Sequence, residues 1–459
     1  MAKKKILLLS DDLRMTSGIA NVSKQLVLGT LDKYDWVQLG AAIKHPEAGK
    51  ILDLNDSVRE QTGVKDANVK VIPFDGYGNQ DMIRQLLMIE KPDAILHFTD
   101  PRYWIWLYEM EHEIRQSVPL FFYHIWDDLP DPKYNRNYYE SCDWIGCISK
   151  QTYGITKRVW GWNKETHWTP PADWQVSYVP HGINSELYKP VEVPQDFKES
   201  IFGKKEYDFV LYWNNRNIRR KQPIDVILAF DKFVEALAPD KRDKVCLLMH
   251  TTPVEEHGTD LPRTVEECCS TETNVIFAPN KYSEEQLNYL YNIADVTINI
   301  PSNEGFGLAT AESVMAGTPI IVNVTGGPQD QCGFEVDGKY LTAEDYVKIG
   351  SLHNKKKYEN TKHGDWVKPI WPVRSTTGSV PTPYIFDDRV DFEDITPLIM
   401  DWYNTPKKDR DIAALNGRKW MLGEGLLSRE AMCNALVEGM EGAFENWKPK
   451  QKFKLIDIF

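Results

Sequence analysis

Two α/β domains in one chain, each built on a parallel sheet, are what the sequence predicts, and three observations predict them. Short apolar runs alternate with helical stretches from the first residues onward. That rhythm breaks at a proline- and acid-containing stretch near residue 190, and it then restarts. A chain of 459 residues is also long for a single hydrophobic core.

The first strand is Lys5–Leu9, a continuous apolar run of the kind buried on both faces of a parallel sheet. A polar loop containing Gly18 leads from it into a helix over 19–29. Strands follow at Val37–Ala41, Val69–Ile72, Ala94–Phe98 and Leu120–His124. A helix over 80–89 ends at Lys91-Pro92-Asp93, because proline cannot continue it. Asp143–Ser149 and Val176–Pro180 complete a first domain at 1–190, and Pro190, Val193 and Pro194 mark a linker over 184–204. The second domain, 205–427, has strands at Phe209–Trp213, Val245–His250, Val275–Ala278, Asp295–Ile300 and Pro319–Val324. Its helices run over 224–237 and 283–293, the latter capped by Ser283 ahead of Glu284 and Glu285. Residues 350–385 read as an irregular insertion. Ser351–Arg374 holds six Lys/Arg against two Asp/Glu beside Trp366 and Trp371, and Pro369, Pro372, Pro381 and Pro383 oppose regular helix. A last helix over 428–447 and the tail behind it form a third segment, 428–459.

A net charge of −13 disfavours a broad grip on nucleic acid or an anionic membrane, since both attract positive surface. Seven cysteines without a CxxC pair imply reduced thiols and a cytoplasmic setting. No run of 18 apolar residues suggests a transmembrane helix, and Ile6–Leu9 is too short for a signal segment.

The most informative string is PSNEGFGLATAESVMAGTP at 301–319. It places Glu304 and Glu312 eight positions apart around Gly305-Phe306-Gly307, between a strand and a helix over 308–316. Strand ends of this kind are where parallel sheets bind ligands, and the following helix offers free N–H groups to an anion. Upstream, WNNRNIRRKQP sets Arg216, Arg219, Arg220 and Lys221 just after the strand Phe209–Trp213, a placement suited to a diphosphate. No spacing of His, Cys, Asp or Glu suggests a metal site.

EGFGLATAESVMAGTP resembles the E-x7-E signature of retaining glycosyltransferases of the GT-B fold, in the family 4-like group (glycosyl transferases group 1), with a faint likeness to phage-encoded members. WNNRNIRRKQP resembles the phosphate site of the same family, with Gln222 where the family usually has glycine. The likeness is strong at 209–221 and 301–319 and weak over the rest. It implies two Rossmann-like domains facing a central cleft, the final helix crossing back to the first, and metal-independent sugar transfer. The co-substrate is a nucleotide-sugar, a UDP-sugar by the family's common use, and no other cofactor is implied. By the same resemblance, Arg216 and Lys221 hold the pyrophosphate and Glu312 bonds the ribose hydroxyls. Glu304 contacts the sugar, and Gly305, Phe306, Gly307 and Leu308 line the sugar and phosphates. Gly18, in a first loop where Ser17-Gly18 replaces a double glycine, adds to the donor contacts. His124 matches a sugar-contacting histidine, so Glu304, His124, Arg216 and Lys221 form the expected catalytic set. Asp12, Ser17, His97, Asp100 and Asp127 are the acceptor-side candidates.

The acceptor stays open between a saccharide, a lipid-linked and a small-molecule hydroxyl. The alternative is a hydroxymethylated base in DNA, for which the basic, Trp-bearing 351–374 segment would contact phosphates and stack bases. From other classes come a non-catalytic nucleotide-sugar binding module and an epimerase or phosphorylase of the same fold. The sequence leaves the oligomeric state open.

Overall fold

The apolar runs become the interior strands of two separate parallel sheets in a computed structural model, which describes residues 3–161, 170–350 and 361–451. Residues 351–360 of the basic Trp-containing segment therefore lie outside the described residues.

The first unit comprises Met1–Trp126, Asp131–Gly182 and Arg429–Phe459. Its sheet contains β1 (Lys4–Asp11), β2 (Tyr34–Ala41), β3 (Leu52–Asp53), β4 (Val69–Pro73), β5 (Ala94–Phe98), β6 (Leu120–His124), β7 (Trp144–Cys147) and β8 (Val176–Tyr178). The spatial order is β3-β4-β2-β1-β5-β6-β7-β8, and every pair except β3–β4 is parallel. β1 lies inside the sheet, and its Ile6, Leu7, Leu8 and Leu9 are wholly buried, which is why it reads as an unbroken apolar run. Strand order reverses between β1 and β5, and ligands bind outside the strand ends at such a switch. The final helix, Arg429–Asn446, belongs to this unit. Phe444 packs edge-on against Phe121 at 5.3 Å, and the Tyr34 hydroxyl donates to Glu441 at 2.8 Å.

The second unit comprises Ile183–Ser428 and, from within the first half of the sequence, Asp127–Pro130. Its sheet contains β9 (Phe209–Asn214), β10 (Val245–His250), β11 (Val275–Phe277), β12 (Val296–Asn299) and β13 (Ile320–Asn323). After a small hairpin, β14 (Glu335–Val336) with β15 (Lys339–Tyr340), comes β16 (Val367–Ile370) at the sheet edge. The order is β11-β10-β9-β12-β13-β16, all parallel, with the switch between β9 and β12. Phe209, Leu211 and Trp213 of β9 pack with Phe230 and Phe233 in its core.

Two expectations need correction. The stretch 184–204 is folded onto the second unit instead of hanging between domains. It contains the helix Gln195–Phe202, and the backbone N–H groups of Lys189 and Val191 donate to Asn288 (3.2 Å) and Asn292 (2.9 Å). The segment 350–385 is not irregular throughout. It supplies β16 and one strand of an antiparallel hairpin, β17 (Val373–Thr377) with β18 (Ile385–Arg389). Pro369 is tolerated because β16 is an edge strand, where a missing N–H breaks no central ladder.

Candidate functional site

At the second sheet's switch point, two loops meet. After β9, residues Arg219–Lys221 form one 3-10 turn, and Gln222 then takes a left-handed conformation (φ 50°, ψ 47°) before Pro223 starts a helix. Glycine suits that conformation best, which is the physical sense of the family's usual residue here. Gln222 instead uses its side chain, donating from Nε2 to the Ile300 carbonyl. After β12, residues 300–307 lead into the helix Leu308–Ala316. Gly307 sits at its N-cap with φ 85°, and no side chain caps this helix start. Its first backbone N–H groups are therefore available to an anion.

Glu304 is the centre of this arrangement. Its carboxylate accepts from Lys221 Nζ and from Arg220 Nη1 (3.4 Å), while Arg220 also donates to the Asn303 carbonyl at 2.7 Å. Burial pushes the Glu304 carboxyl up, but Lys221 and Arg220 outweigh it and hold the group below its ordinary value. Burial likewise pushes the Lys221 ammonium down, against the pull of Glu304. Asp127 and Asp128 stand in the same cluster. Burial raises both, and the neighbouring Asp127 charge adds to the rise at Asp128. Asp128 accepts from Asn303 Nδ2. Three carboxyls, of Glu304, Asp127 and Asp128, thus share this cluster with the two cations Arg220 and Lys221.

Backbone contacts fix the Glu304 loop from two further sides. Gly326 (φ 49°) and Gly327 follow β13, and a Cβ on them would stand 2.0 Å from the Glu304 carbonyl oxygen and 2.2 Å from that of Gly305. Only glycine permits that approach, and Gly327 N–H uses it to reach Glu304 O at 2.9 Å. The β17–β18 hairpin grips the other side. Arg374 pairs with Asp388 through two bonds (2.6 and 2.8 Å), and Thr325 Oγ1 donates to the same carboxylate at 2.9 Å. The Asp388 N–H reaches Ser302 O (3.2 Å), and its carbonyl accepts from Asn323 Nδ2 (2.9 Å). Asn303 Nδ2 donates to Phe386 O at 2.9 Å, and Phe386 N–H donates to Leu129 O at 2.6 Å.

Glu312 sits about one turn into the helix, buried, and accepts from the Tyr291 hydroxyl at 2.7 Å. Burial pushes its carboxyl up to about 7, against the bonds from Tyr291 and Tyr188. A raised acid pKa means that the folded state holds the proton more tightly than the unfolded one. Stability is then full below the ordinary value and is lost as pH rises toward 7. Denaturant titrations of wild type and Glu312→Gln are expected to show this. The variant should gain about 2–3 kcal/mol over wild type at pH 8 and little at pH 4.5. Equal pH profiles would contradict the burial argument.

Of the expected donor residues, Lys221, Glu304, Gly305, Phe306, Gly307 and Leu308 come together here, and Asp127 joins them. Arg216 does not. It is 60% exposed and pairs with Glu255 at 3.1 Å, and Arg220 is the second cation on Glu304. Arg216 lies three residues before the turn that brings Arg220 and Lys221 to Glu304, and a run of basic residues does not itself say which of them turn to that carboxylate.

The remaining candidates lie in the first unit. Ser17 caps the helix Gly18–Gly29, accepting from Ala20 N at 3.1 Å, and donates to Asp11 at 2.8 Å. Asp12 is fully buried and pairs with Arg14. Asp100 pairs with Arg102. His97 has no exposed surface, and both ring nitrogens are engaged, by the Tyr108 hydroxyl (2.8 Å) and Thr99 Oγ1 (3.0 Å). It serves the core. His124 is also buried, with Nδ1 at 2.9 Å from Thr156 Oγ1, and burial lowers it to about 3, so it is neutral at working pH. Sequence reasoning missed Asp128, Asn303, Arg374 and Asp388. The Gly326-Gly327 doublet was a readable signal of close backbone approach.

Among the described residues, no group of three or more His, Cys, Asp or Glu could hold a metal ion, and no helix is long and apolar enough to cross a membrane. Residues 194–346 match the family described as Glycosyl transferases group 1, so the second unit carries a glycosyltransferase domain and the chain is an enzyme of that class. No curated protein matches the chain. Among solved structures, HepE of Anabaena in complex with UDP and glucose is similar at TM-score 0.61 and 11% identity, covering 95% of this chain and 99% of that one. Sucrose-phosphate synthase of Thermosynechococcus elongatus is similar at TM-score 0.63 and 14% identity, covering 96% and 100%. The α,α-trehalose 6-phosphate synthase of Burkholderia multivorans is similar at TM-score 0.60 and 11% identity, covering 96% and 98%. With the two parallel sheets, these likenesses show the GT-B fold.

Proposed function

We propose that the chain is a retaining, family 4-like glycosyltransferase that moves a sugar from a UDP-sugar to an acceptor hydroxyl. The observation that carries this is the Glu304–Lys221–Arg220 cluster beside an uncapped helix start, at the switch point of a sheet whose domain matches glycosyl transferases group 1. The similar HepE structure holds UDP and glucose, which supports UDP as the nucleotide.

In this reading the diphosphate takes Lys221, Arg220 and the N–H groups at the start of the helix Leu308–Ala316. Glu312 receives the ribose hydroxyls, and Glu304, released from Lys221, turns to the sugar. The bond from the sugar's anomeric carbon to the diphosphate oxygen breaks, and its electron pair goes to UDP. The acceptor oxygen bonds to the same carbon on the same face, and its proton passes to the departing phosphate. Lys221 and Arg220 stabilise the charge that develops on the leaving group, and such electrostatic stabilisation usually contributes most to the rate. Neutral His124 acts as a hydrogen-bonding group.

The test is a thermal-shift and turnover panel of UDP-, GDP-, ADP- and TDP-sugars without added metal. At a ligand concentration of 100 times Kd, a bound donor adds about 2.7 kcal/mol to the folded state. UDP-sugars are expected to raise the melting temperature of wild type and of Arg216→Ala, and not of Lys221→Met. An NMR spectrum of the product with the donor's anomeric configuration would establish retention. A shift that survives in Lys221→Met, or an inverted product, would overturn the assignment.

A further inference from the structure

Glu312 is held by tyrosines, and the tyrosines are held in turn. Tyr291, on the helix Glu284–Ile293, is wholly buried, and its hydroxyl donates to Glu312 Oε2 at 2.7 Å. Tyr188 also hydrogen-bonds this carboxyl, and its ring meets that of Tyr291 edge-on at 6.0 Å. Tyr212 of β9 closes a third side, edge-on to Tyr291 at 5.3 Å. The backbone under Tyr291 is fixed as well, because its carbonyl accepts from Thr318 Oγ1 at 2.7 Å.

Behind Tyr291 the bonds continue along the strand ends. Asn214, the last residue of β9, donates from Nδ2 to the Tyr291 hydroxyl at 2.8 Å. Its Oδ1 lies 2.9 Å from Nδ1 of His250, the last residue of β10. His250 Nε2 faces the Asn280 carbonyl at a longer 3.2 Å. A single proton sets the direction of this chain. A phenol has only one to give, and an ionised carboxylate claims it ahead of a neutral amide, because the charge-assisted bond is stronger. Asn214 then donates to Tyr291 with its amide N–H, its oxygen turns to His250, and His250 Nδ1 carries the hydrogen between them.

An ionised carboxylate offers about four acceptor positions. The two phenols take two of them, and Glu312 keeps 8% of its surface open. What is left matches two neighbouring hydroxyls, as ribose presents and deoxyribose does not. A freely rotating carboxylate would offer those positions in any direction. One gripped by buried phenols offers them in one.

We propose that Tyr291 is a positioning residue for the donor, held by Asn214 and His250 so that Glu312 meets both hydroxyls of a ribose. The proposal rests on the reading of Glu312 as the acid that receives the ribose. It adds that the choice of ribose over deoxyribose is made through a tyrosine too buried to touch the donor.

The experiment titrates UDP, 2′-deoxy-UDP and inorganic pyrophosphate by calorimetry at pH 8 into the full chain as wild type, Tyr291→Phe, Asn214→Ala and the double variant. Wild type should bind UDP about 10-fold more tightly than 2′-deoxy-UDP, as expected for one hydrogen bond to a charged group. In Tyr291→Phe that preference should fall to about 2-fold while pyrophosphate affinity stays as in wild type. Asn214→Ala should lower the preference in the same direction and add nothing in the Tyr291→Phe background, since both act through one hydroxyl. A preference unmoved in Tyr291→Phe, an equal loss for all three ligands, or effects of the two substitutions that add in full would each overturn the proposal. Wild type that binds UDP and 2′-deoxy-UDP alike, or neither, would instead remove the reading of Glu312 beneath it, and the proposal with it.

Discussion

Glu304→Gln is expected to bind UDP about 10-fold more tightly than wild type while losing about 10²–10³-fold in turnover. The two effects have one origin. Glu304 occupies the Lys221 ammonium and shares Arg220, so in the proposed function an arriving diphosphate must displace a carboxylate from both cations. Glutamine removes that competitor and also the group that turns to the sugar. Titration calorimetry with UDP, beside turnover of UDP-glucose, checks both. A loss of UDP affinity would mean that the carboxylate supports the phosphate site instead of filling it. Lys221→Met has a structural effect as well. Removing one partner of a buried ion pair strands the other, at a cost of about 3–5 kcal/mol, and Lys221→Met with Glu304→Gln together should cost less than Lys221→Met alone.

Asp388→Ala is expected to cost about 3–5 kcal/mol and to lower turnover about 10-fold or more, although Asp388 has no place in the reaction. The loss begins with Arg374, a buried guanidinium left without its carboxylate, and with Thr325, whose hydroxyl loses its acceptor. Its reach to the site comes from the hairpin. β18 bonds to Ser302, Asn303 and Leu129, so freeing it loosens the Glu304 loop and the Asp127–Pro130 segment together. Denaturant midpoints measure the first effect. A fall in kcat exceeding the change in donor KM measures the second. A variant destabilised as expected but with unaltered kcat would reduce the hairpin to a structural appendage.

These residues also show what the sequence could and could not tell. The two α/β units were legible because strands such as β1 and β9, buried on both faces, appear as unbroken apolar runs with helices between them. The turn that carries Glu304, and the helix that carries Glu312, were legible because a strand end, two glycines and a helical run follow one another in the string. The hairpin was not legible. β17 is mostly exposed and carries no alternating pattern, and the prolines around it read as irregular chain. Asp127–Pro130 was equally hidden, because its partners lie some 175 positions away, as Asp128 and Asn303 show, and a local pattern does not encode such pairing. Lys189 and Val191 looked like linker because what ties them down is a pair of asparagines on another helix.

The proposed chemistry stands or falls on Lys221, with Arg220, seating the diphosphate. Calorimetric titration of UDP and of uridine into wild type and Lys221→Met decides whether it does. UDP affinity should fall about 100-fold in the variant while the weak binding of uridine is alike in both, since the loss is one charge-assisted phosphate contact. UDP binding of equal strength in the two proteins would contradict that seat.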